Sequence, residues 1–197
     1  MSQIIEIPLF PLHTVLFPEG ALPLRIFEPR YMDMAKVCLR DGSAFGICLI
    51  AEGKEVGQPA KPHPVGTVAR IAEWDMPQLG LLEVLVRGEQ RFRVIERWVE
   101  NSGLLRARVE LWPNEPRRPV ADEYSRLVAV LRRAMAMAGE EPPPADRLDD
   151  AAWLSYRFCE LLDLAPALCQ ELLETEECSE RLAEIFRICA GKGLLET

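Results

Sequence analysis

The sequence predicts an α+β fold, with a β barrel or sandwich in its first part and a bundle of α-helices in its second. Over residues 1–112, short apolar segments are separated by turn residues, which is typical of closely spaced β-strands. From about residue 119 the apolar residues instead recur with the spacing of one helix face. Prolines crowd the segment between these two parts, and we therefore expect their boundary there.

Seven segments of the first part predict strands. In chain order, their sequences are IIEIPLFPL, ALPLRIF, SAFGICLI, VGTVARIAEWD, LLEVLVRG, RFRVIERWVE and LLRARVEL. The third segment is almost wholly apolar, which indicates a strand that is buried on both faces. In the sixth, Phe92 and Val94 alternate with Arg91, Arg93 and Arg97, which indicates a half-buried strand with a charged outer face.

One helix and one long loop interrupt these strands. The segment PRYMDMAKVCLRDG has Pro29 at its first position and Gly42 near its end, and these residue types favour the start and the end of a helix. Residues 51–64 are polar and rich in glycine and proline, so they predict a long mobile loop.

The second part predicts a series of helices. The first has an apolar stripe formed by Tyr124, Leu127, Val128, Leu131, Ala134, Met135 and Ala138. The segment GEEPPPADRLDD breaks that helix and supplies acidic residues that cap the next one. Further helices are expected over AAWLSYRFCELLDL, APALCQELLE and CSERLAEIFRICAG.

Charge restricts the class of partner. The chain has 23 Lys and Arg against 31 Asp and Glu, a formal net charge of −8. Residues 1–112 hold 13 of these cations and 14 of these acids, so most of the negative excess lies in the second part. An acidic chain with only four lysines argues against a nucleic-acid partner and against an anionic membrane surface.

The start of the chain and its cysteines favour a cytoplasmic protein. The first residues lack the features of a signal peptide, and no long apolar run predicts a membrane span, so we expect six reduced thiols. The apolar neighbours of Cys159, Cys169 and Cys189 predict core thiols. Cys178 begins a helix beside Ser179, where an exposed thiol of lowered pKa and a structural role are the two alternatives.

A search for motifs identifies no catalytic, cofactor-binding or metal-binding residues. The sequence has no Walker loop, no GxGxxG before a helix and no GxSxG elbow. His13 and His63 lie in proline-rich sequence that indicates surface loops, and the cysteines have no CxxC spacing that predicts zinc. We therefore expect no enzymatic activity and no cofactor.

Several motifs, taken together, resemble one family. They are IPLFPLHTVLFPEGALPLRIFEPRYMDM, GTVARI, VRGEQRFRV and ARVELWPNE, followed by CQELLETEECSERL near the end of the chain. In sequence, order and spacing they resemble the N-terminal domain of Lon proteases, the LON substrate-binding domain, over essentially the whole chain.

This resemblance implies a PUA-like β pseudo-barrel with one inserted helix over residues 1–112 and a helical bundle over residues 119–197, together one LON substrate-binding domain. It also implies a stand-alone member of the family, because the ATPase and Ser-Lys protease domains of Lon proteases are absent from the sequence. We therefore expect a non-catalytic module that binds extended or unfolded polypeptide, or docks to a partner protein as an adaptor. The expected site is a groove with exposed apolar residues and edge-strand hydrogen bonds.

The candidate polypeptide-binding residues come from two of these motifs. They are Phe27, Arg30, Tyr31, Arg91 and Phe92. Phe27, at the end of a strand, lies either in the groove or in the core. Arg30 and Tyr31 either anchor a ligand carboxylate or carbonyl, or Arg30 pairs with Glu28 and fixes the corner between strand and helix. The same two alternatives apply to Arg91 and Phe92.

Two other classes of function are kept as alternatives. PUA-like folds also bind RNA, although this sequence is acidic and lacks interleaved aromatic and basic residues. A small-molecule hydrolase would need a polar cleft that holds a nucleophile and a base within hydrogen-bond reach.

Overall fold

Residues 3–139, 141 and 143–196 are described by a computed structural model, in which they divide into two units. The first unit comprises the described residues up to Asn114 together with Pro166–Leu173. The second comprises Glu115–Ala165 and the described residues from Glu174 onward. All the described strands belong to the first unit and most of the helices to the second, which confirms the predicted α+β class. The subdomain boundary expected between residues 112 and 119 stays a prediction.

The first unit is built on a single sheet. Its strands are β1 (Ile4–Leu12), β2 (Ala21–Ile26), β3 (Phe45–Glu52), β4 (Lys61–Gln78), β5 (Leu81–Val99) and β6 (Leu105–Leu111). They are ordered β2-β5-β4-β3-β1-β6, and β6 also pairs with β5. This additional pairing closes five strands into a ring, while β2 is attached to β5 at the side. The predicted barrel is therefore confirmed.

Helix α1 (Pro29–Asp41) connects β2 to β3 and has the predicted ends. Pro29 occupies its first turn, and Gly42 follows its last residue with φ 64°, a left-handed conformation that glycine adopts without strain. The buried side of α1 contributes Tyr31, Met34 and Ala35 to the main apolar cluster of the unit.

Two of the predicted strands are in fact one. The segments expected at residues 81–88 and 91–100 form the continuous strand β5, and Gly88 lies in its middle rather than in a turn. A Cβ atom on Gly88 would clash with the carbonyl oxygen of Phe17, so this glycine allows a second backbone to approach the strand. The loop predicted over residues 51–64 is also shorter than expected, because β3 runs to Glu52 and β4 begins at Lys61.

A second apolar cluster of the first unit surrounds Phe92, which is completely buried. Its ring fills space left by two glycines. A Cβ atom would lie 2.7 Å from the Phe92 Cζ atom if placed on Gly46, and 2.8 Å from it if placed on Gly66. The two glycines therefore leave room for the Phe92 side chain inside the ring of strands.

The helices after β6 are α2 (Ser125–Ala138), α3 (Ala145–Leu148), α4 (Ala151–Leu161), α5 (Pro166–Glu174) and α6 (Cys178–Gly191), preceded by a 3₁₀ turn at Asp122–Tyr124. Of the stripe predicted on α2, only Leu127 and Leu131 are buried. Asp150 caps α4 as expected, because its carboxylate accepts hydrogen bonds from the Ala152 and Trp153 amides. Within the predicted breaker segment, residues 140 and 142 lie outside the described residues.

Arg181 is the centre of a buried polar network in the second unit. Its side chain is fully buried, and its Nη2 atom lies 2.9 Å and 2.8 Å from the two carboxylate oxygens of Glu115. Its Nε donates to the Ser155 hydroxyl and its Nη1 to the Thr175 carbonyl. The network therefore joins helices α4 and α6 to the segment that precedes α2.

No helix among the described residues is long and apolar enough to span a membrane.

Candidate functional site

A cleft of about 340 Å³ opens in the first unit, beside β2, the start of α1 and the loop at residues 53–60. Its lining is Phe10, Leu12, Pro23, Leu24, Arg25, Ile26, Phe27, Glu28, Tyr31, Glu55 and Val56. Most of these side chains are apolar, and a few polar groups lie among them. Such a combination is typical of clefts that bind an apolar group and fix its orientation.

Phe10 and Tyr31 form the buried floor of the cleft. Their rings are stacked, with centroids 4.1 Å apart, and are 6% and 4% exposed. The Tyr31 hydroxyl makes no hydrogen bond to any described residue. Burial raises the pKa of Tyr31, so the phenol stays protonated at neutral pH and can donate a hydrogen bond in the cleft.

The rim of the cleft carries two exposed apolar side chains, Phe27 at 56% and Val56 at 55% exposure. Val56 belongs to the loop at residues 53–60, which two carboxylates hold in place. Glu55 Oε1 accepts a hydrogen bond of 2.6 Å from the His13 amide, and Glu28 Oε2 accepts one of 3.4 Å from the Gly57 amide. The cleft thus has an ordered apolar rim above a buried aromatic floor.

Strand β2 gives the cleft an edge with free backbone groups. It pairs with β5 along one side, from Ala21 opposite Arg87 to Ile26 opposite Leu82, and with no other described strand. Pro23 lies in the middle of β2 and has no amide hydrogen, a common feature of edge strands. Apart from Pro23, which supplies only a carbonyl, the free side of β2 offers backbone groups to a further extended chain beside the cleft.

Arg30 has the structural role that was one of its two alternatives. It is 8% exposed, and its Nη2 donates to Glu28 Oε2 at 3.0 Å while its Nη1 donates to the Gly103 carbonyl at 3.1 Å. Its guanidinium lies 4.7 Å from the centre of the Tyr31 ring. Arg30 therefore fixes the corner between β2 and α1 and supports the floor of the cleft from behind.

The structure separates the remaining candidate residues. Phe27 lies at the rim of the cleft, so its placement in the core is wrong: β2 ends at Ile26 and the chain bends before α1 begins. Arg91 and Phe92 do not line the cleft and are 5% and 0% exposed. Polypeptide binding by these candidates stays a prediction, and only Phe27 and Tyr31 are brought together in one cleft.

Arg91 was expected on a charged outer face, and this expectation is wrong. Its Nη1 donates a hydrogen bond of 2.8 Å to the Leu173 carbonyl, and its guanidinium lies 4.7 Å from the centre of the Trp112 ring. Helix α5, which contributes Leu173 to the first unit, covers this part of β5. Strand alternation could not reveal that cover, because α5 is distant along the chain.

Several lining residues were missed by sequence reasoning. Phe10 and Leu12 belong to β1, and Glu55 and Val56 to the segment predicted as a mobile loop. One signal for this loop was present in the sequence, since Val56 is a single large apolar residue among polar and small neighbours. Its side chain is exposed at the rim because the Glu55 and Glu28 carboxylates hold the loop there.

The common side-chain nucleophiles of hydrolases do not line the described cleft. The described residues that line it include no serine, threonine, cysteine, histidine or lysine. No group of three His, Cys, Asp or Glu side chains in the described part of the chain is arranged to hold a metal ion. Cys178 is 3% exposed and burial raises the pKa of its thiol, so the alternative of an exposed thiol with a lowered pKa is wrong.

Comparisons with known proteins agree with the fold and with the motifs. A profile of the family described as "ATP-dependent protease La (LON) substrate-binding domain" matches residues 6–190. A Lon protease of Paraburkholderia phytofirmans is 28% identical over 191 residues, which cover 91% of this chain and 23% of that protein. The chain therefore spans about a quarter of the length of such relatives.

Two solved structures resemble the chain over nearly all of its length. The crystal structure of a Lon N-terminal domain protein from Xanthomonas campestris has a TM-score of 0.79 and 34% identity, covering 93% of this chain and 98% of that one. The N-terminal domain of a Mycobacterium avium complex Lon protease has a TM-score of 0.68 at 20% identity, covering 93% and 97%, a likeness that concerns the fold alone. The PUA-like pseudo-barrel with its following helices is thus confirmed, and the chain belongs to the LON substrate-binding domain family.

Proposed function

We propose that this domain captures extended or unfolded polypeptide in the cleft beside β2, in the cytoplasm, and catalyses no reaction on it. The observation that carries the proposal is an apolar cleft that lies alongside a strand paired on one side only. Extended chains bind such places by adding a strand to the free edge, while alternate side chains enter the neighbouring pocket.

The two parts of the cleft have different tasks in this proposal. Phe27 and Val56 at the rim contact the apolar side chains of the captured segment and remove them from water. The Tyr31 hydroxyl in the floor donates a hydrogen bond to a carbonyl of that segment, since it has no described partner of its own. The floor fixes the position of the captured segment, and the rim supplies much of the contact area.

The family supports the binding step, and we assign only that step to this chain. The family is named for substrate binding within an ATP-dependent protease, and the chain matches its profile over residues 6–190. An exposed extended segment of a folded partner protein would occupy the same cleft, so an adaptor role uses the same surface. The lining of the cleft disfavours RNA, because the carboxylates of Glu28 and Glu55 repel phosphate groups.

Fluorescence anisotropy with labelled casein, an unfolded polypeptide, tests the proposal. We expect binding in the micromolar range that is lost or clearly weakened when Phe27 and Val56 are both replaced by alanine. A labelled single-stranded RNA should not bind. Absence of casein binding by a well-folded protein would overturn the proposal.

A further inference from the structure

The apolar cleft beside β2 also carries polar groups. Phe27 and Val56 form its exposed apolar rim, and its lining includes the Tyr31 hydroxyl and the Glu55 carboxylate. A side chain that fills the cleft removes both polar groups from water. Burial of unpaired polar groups is unfavourable, so the preferred occupant is one that supplies hydrogen-bond partners for them.

The ring of Tyr31 is covered by neighbours, whereas its hydroxyl is open to the cleft. The ring is stacked on that of Phe10 with centroids 4.1 Å apart, and the Arg30 guanidinium lies 4.7 Å from the ring centre. Tyr31 is only 4% exposed, and its hydroxyl makes no hydrogen bond to any described residue. The hydroxyl oxygen is not sealed from solvent, so it is directed into the cleft.

Glu55 brings to the cleft a negative charge that is not balanced by an ion pair. The residue is half-buried and forms no ion pair with any described residue. Its Oε1 atom accepts the hydrogen bond from the His13 amide, a neutral donor that leaves the formal charge in place, and its Oε2 atom accepts from no described residue. Burial raises the pKa of Tyr31, and the charges of Glu28 and Glu55 raise it further, so both carboxylates lie near that hydroxyl.

The other charges of the lining are already paired. Glu28 forms an ion pair of 3.0 Å with Arg30, and both side chains are largely buried. Arg25 pairs with Glu83 at 2.9 Å. Successive side chains of a strand point to opposite faces, so Arg25 is directed away from the face on which Ile26 packs into the core and lines the cleft. One carboxylate of the lining is therefore left without a counterion.

We infer that the cleft takes a lysine side chain of the captured polypeptide, whose ammonium binds Glu55 Oε2 and the Tyr31 oxygen. This inference rests on the proposed function and adds to it the residue that anchors the segment. The hydrocarbon stem of the lysine lies against Phe27 and Val56 at the rim, as long basic side chains commonly pack on apolar surface. The Tyr31 oxygen accepts a hydrogen bond from the ammonium while its hydrogen remains available to a carbonyl.

The hydrogen bond from the His13 amide favours lysine over arginine. A guanidinium binds a carboxylate best through two parallel hydrogen bonds, one to each oxygen. Glu55 Oε1 already accepts from the His13 amide at 2.6 Å, so only Oε2 remains for an occupant. An ammonium is a compact charge with three donors, and it needs one carboxylate oxygen together with the Tyr31 hydroxyl.

Synthetic peptides test the inference by fluorescence anisotropy. Three of them share a host sequence of alternating valine and serine with blocked ends, and differ at one central residue, which is lysine, arginine or norleucine. Norleucine has the hydrocarbon stem of lysine without the ammonium. We expect the lysine peptide to bind about threefold to tenfold more tightly than the norleucine peptide, with the arginine peptide between them, and added salt to reduce these differences. A fourth peptide, with norleucine and a free α-ammonium, should bind no more tightly than the blocked norleucine peptide.

Conservative variants assign the preference to named atoms. Glu55→Gln removes the charge but keeps an oxygen that can accept from the His13 amide, so the loop stays in place. In this variant the lysine and norleucine peptides should bind within about twofold of each other. Tyr31→Phe removes the hydroxyl and should reduce the preference for lysine about twofold to threefold. Glu6→Gln removes an exposed carboxylate outside the cleft and should leave the preference unchanged.

The outcomes separate this inference from the proposed function. Equal affinity for the lysine and norleucine peptides would overturn the inference and leave polypeptide capture standing. So would tighter binding of the arginine peptide than of the lysine peptide, or survival of the lysine preference in the Glu55→Gln variant. If the peptide with a free α-ammonium binds as tightly as the lysine peptide, the cleft takes chain ends and the inference is wrong. If casein binds and no peptide does, the inference alone is wrong; if casein does not bind either, the proposed function is wrong with it.

Discussion

Phe10 on β1 and Tyr31 on α1 stack with their ring centroids 4.1 Å apart, and this pair closes the bottom of the apolar cleft. The two residues are almost fully buried, whereas Phe27 and Val56 at the rim of the same cleft are more than half exposed. Substitutions in the floor should therefore change the stability of the fold. Substitutions at the rim should change binding with little effect on stability.

The rim provides the first prediction. Phe27→Ala should weaken the binding of unfolded casein about fivefold to tenfold, because an aromatic contact residue often contributes more than 1 kcal/mol. The free energy of unfolding should change by less than about 0.5 kcal/mol, because the side chain is 56% exposed. Anisotropy and urea unfolding measure the two effects. Leu161→Ala is the matched control, since Leu161 is 53% exposed and belongs to the second unit. If both variants weaken casein binding equally, the assignment of Phe27 to the binding site is wrong.

The second prediction concerns the Tyr31 hydroxyl. Tyr31→Phe removes a group that has no described hydrogen-bond partner, so the free energy of unfolding should stay within about 0.5 kcal/mol of the original value. Tyr31→Ala removes a ring of the floor and should cost about 3–5 kcal/mol. Urea unfolding compares the variants. A loss above about 1 kcal/mol for Tyr31→Phe would show that the hydroxyl already has a structural partner.

The third prediction concerns the buried pair of Arg181 and Glu115. Arg181→Ala should destabilise the protein by about 3–5 kcal/mol, because it leaves a partly buried carboxylate without its guanidinium. Chemical denaturation measures this loss. The control is Arg117→Ala, which breaks the exposed pair with Asp146 and should cost less than about 1 kcal/mol. Similar losses of stability for both variants would mean that the buried network stabilises the protein no more than an exposed ion pair does.

The fourth prediction uses the close packing around Phe92. Gly46→Ala should destabilise the first unit by about 1–3 kcal/mol, because the new methyl group would lie within 3 Å of the Leu9 and Phe92 side chains. Adding Phe92→Leu should make the effect of Gly46→Ala smaller, since the shorter side chain leaves room for the methyl group. A double-mutant cycle measures this coupling. Gly191→Ala is the control: its new methyl group would meet nothing within 4 Å, so the free energy of unfolding should stay the same or rise slightly. Additive effects of the Gly46 and Phe92 substitutions would contradict the packing argument.

The fifth prediction concerns thiol reactivity and pH. Burial raises the pKa of Cys48 to about 12 and that of Cys189 to about 11, so at neutral pH both remain protonated thiols rather than reactive thiolates. Iodoacetamide should therefore label these two cysteines slowly in the native protein at pH 7.5, and quickly after unfolding in urea. Mass spectrometry identifies the labelled sites. Rapid native labelling of either cysteine would contradict its placement in the core.

Local features of this fold follow from neighbouring residues, and these were predictable. Pro29 and Gly42 define the two ends of α1, and Asp150 caps α4. Each depends on backbone conformation or on hydrogen bonds within a few residues. For the same reason the apolar segment at residues 43–50 was correctly expected to be a buried strand.

Features that depend on distant parts of the chain were not predictable. Gly88 was expected to end a strand, but it lies inside β5, where the backbone of Phe17 approaches it. Arg91 suggested an outer face, but a carbonyl of α5 accepts its hydrogen bond. The candidate site shows the same division. Tyr31 was identified from its motif, whereas Val56 joins it only because Glu55 and Glu28 hold the loop over the cleft.

Amide chemical-shift mapping by NMR is the sharpest test of polypeptide capture at β2. The ¹⁵N-labelled protein would be titrated with unfolded casein while its amide signals are followed. Capture at β2 should concentrate the shifts in β2, at Phe27 and Tyr31, and in the loop that contains Val56, with few changes in α4 and α6. Shifts confined to the helices of the second unit, or no shifts at saturating casein, would contradict it.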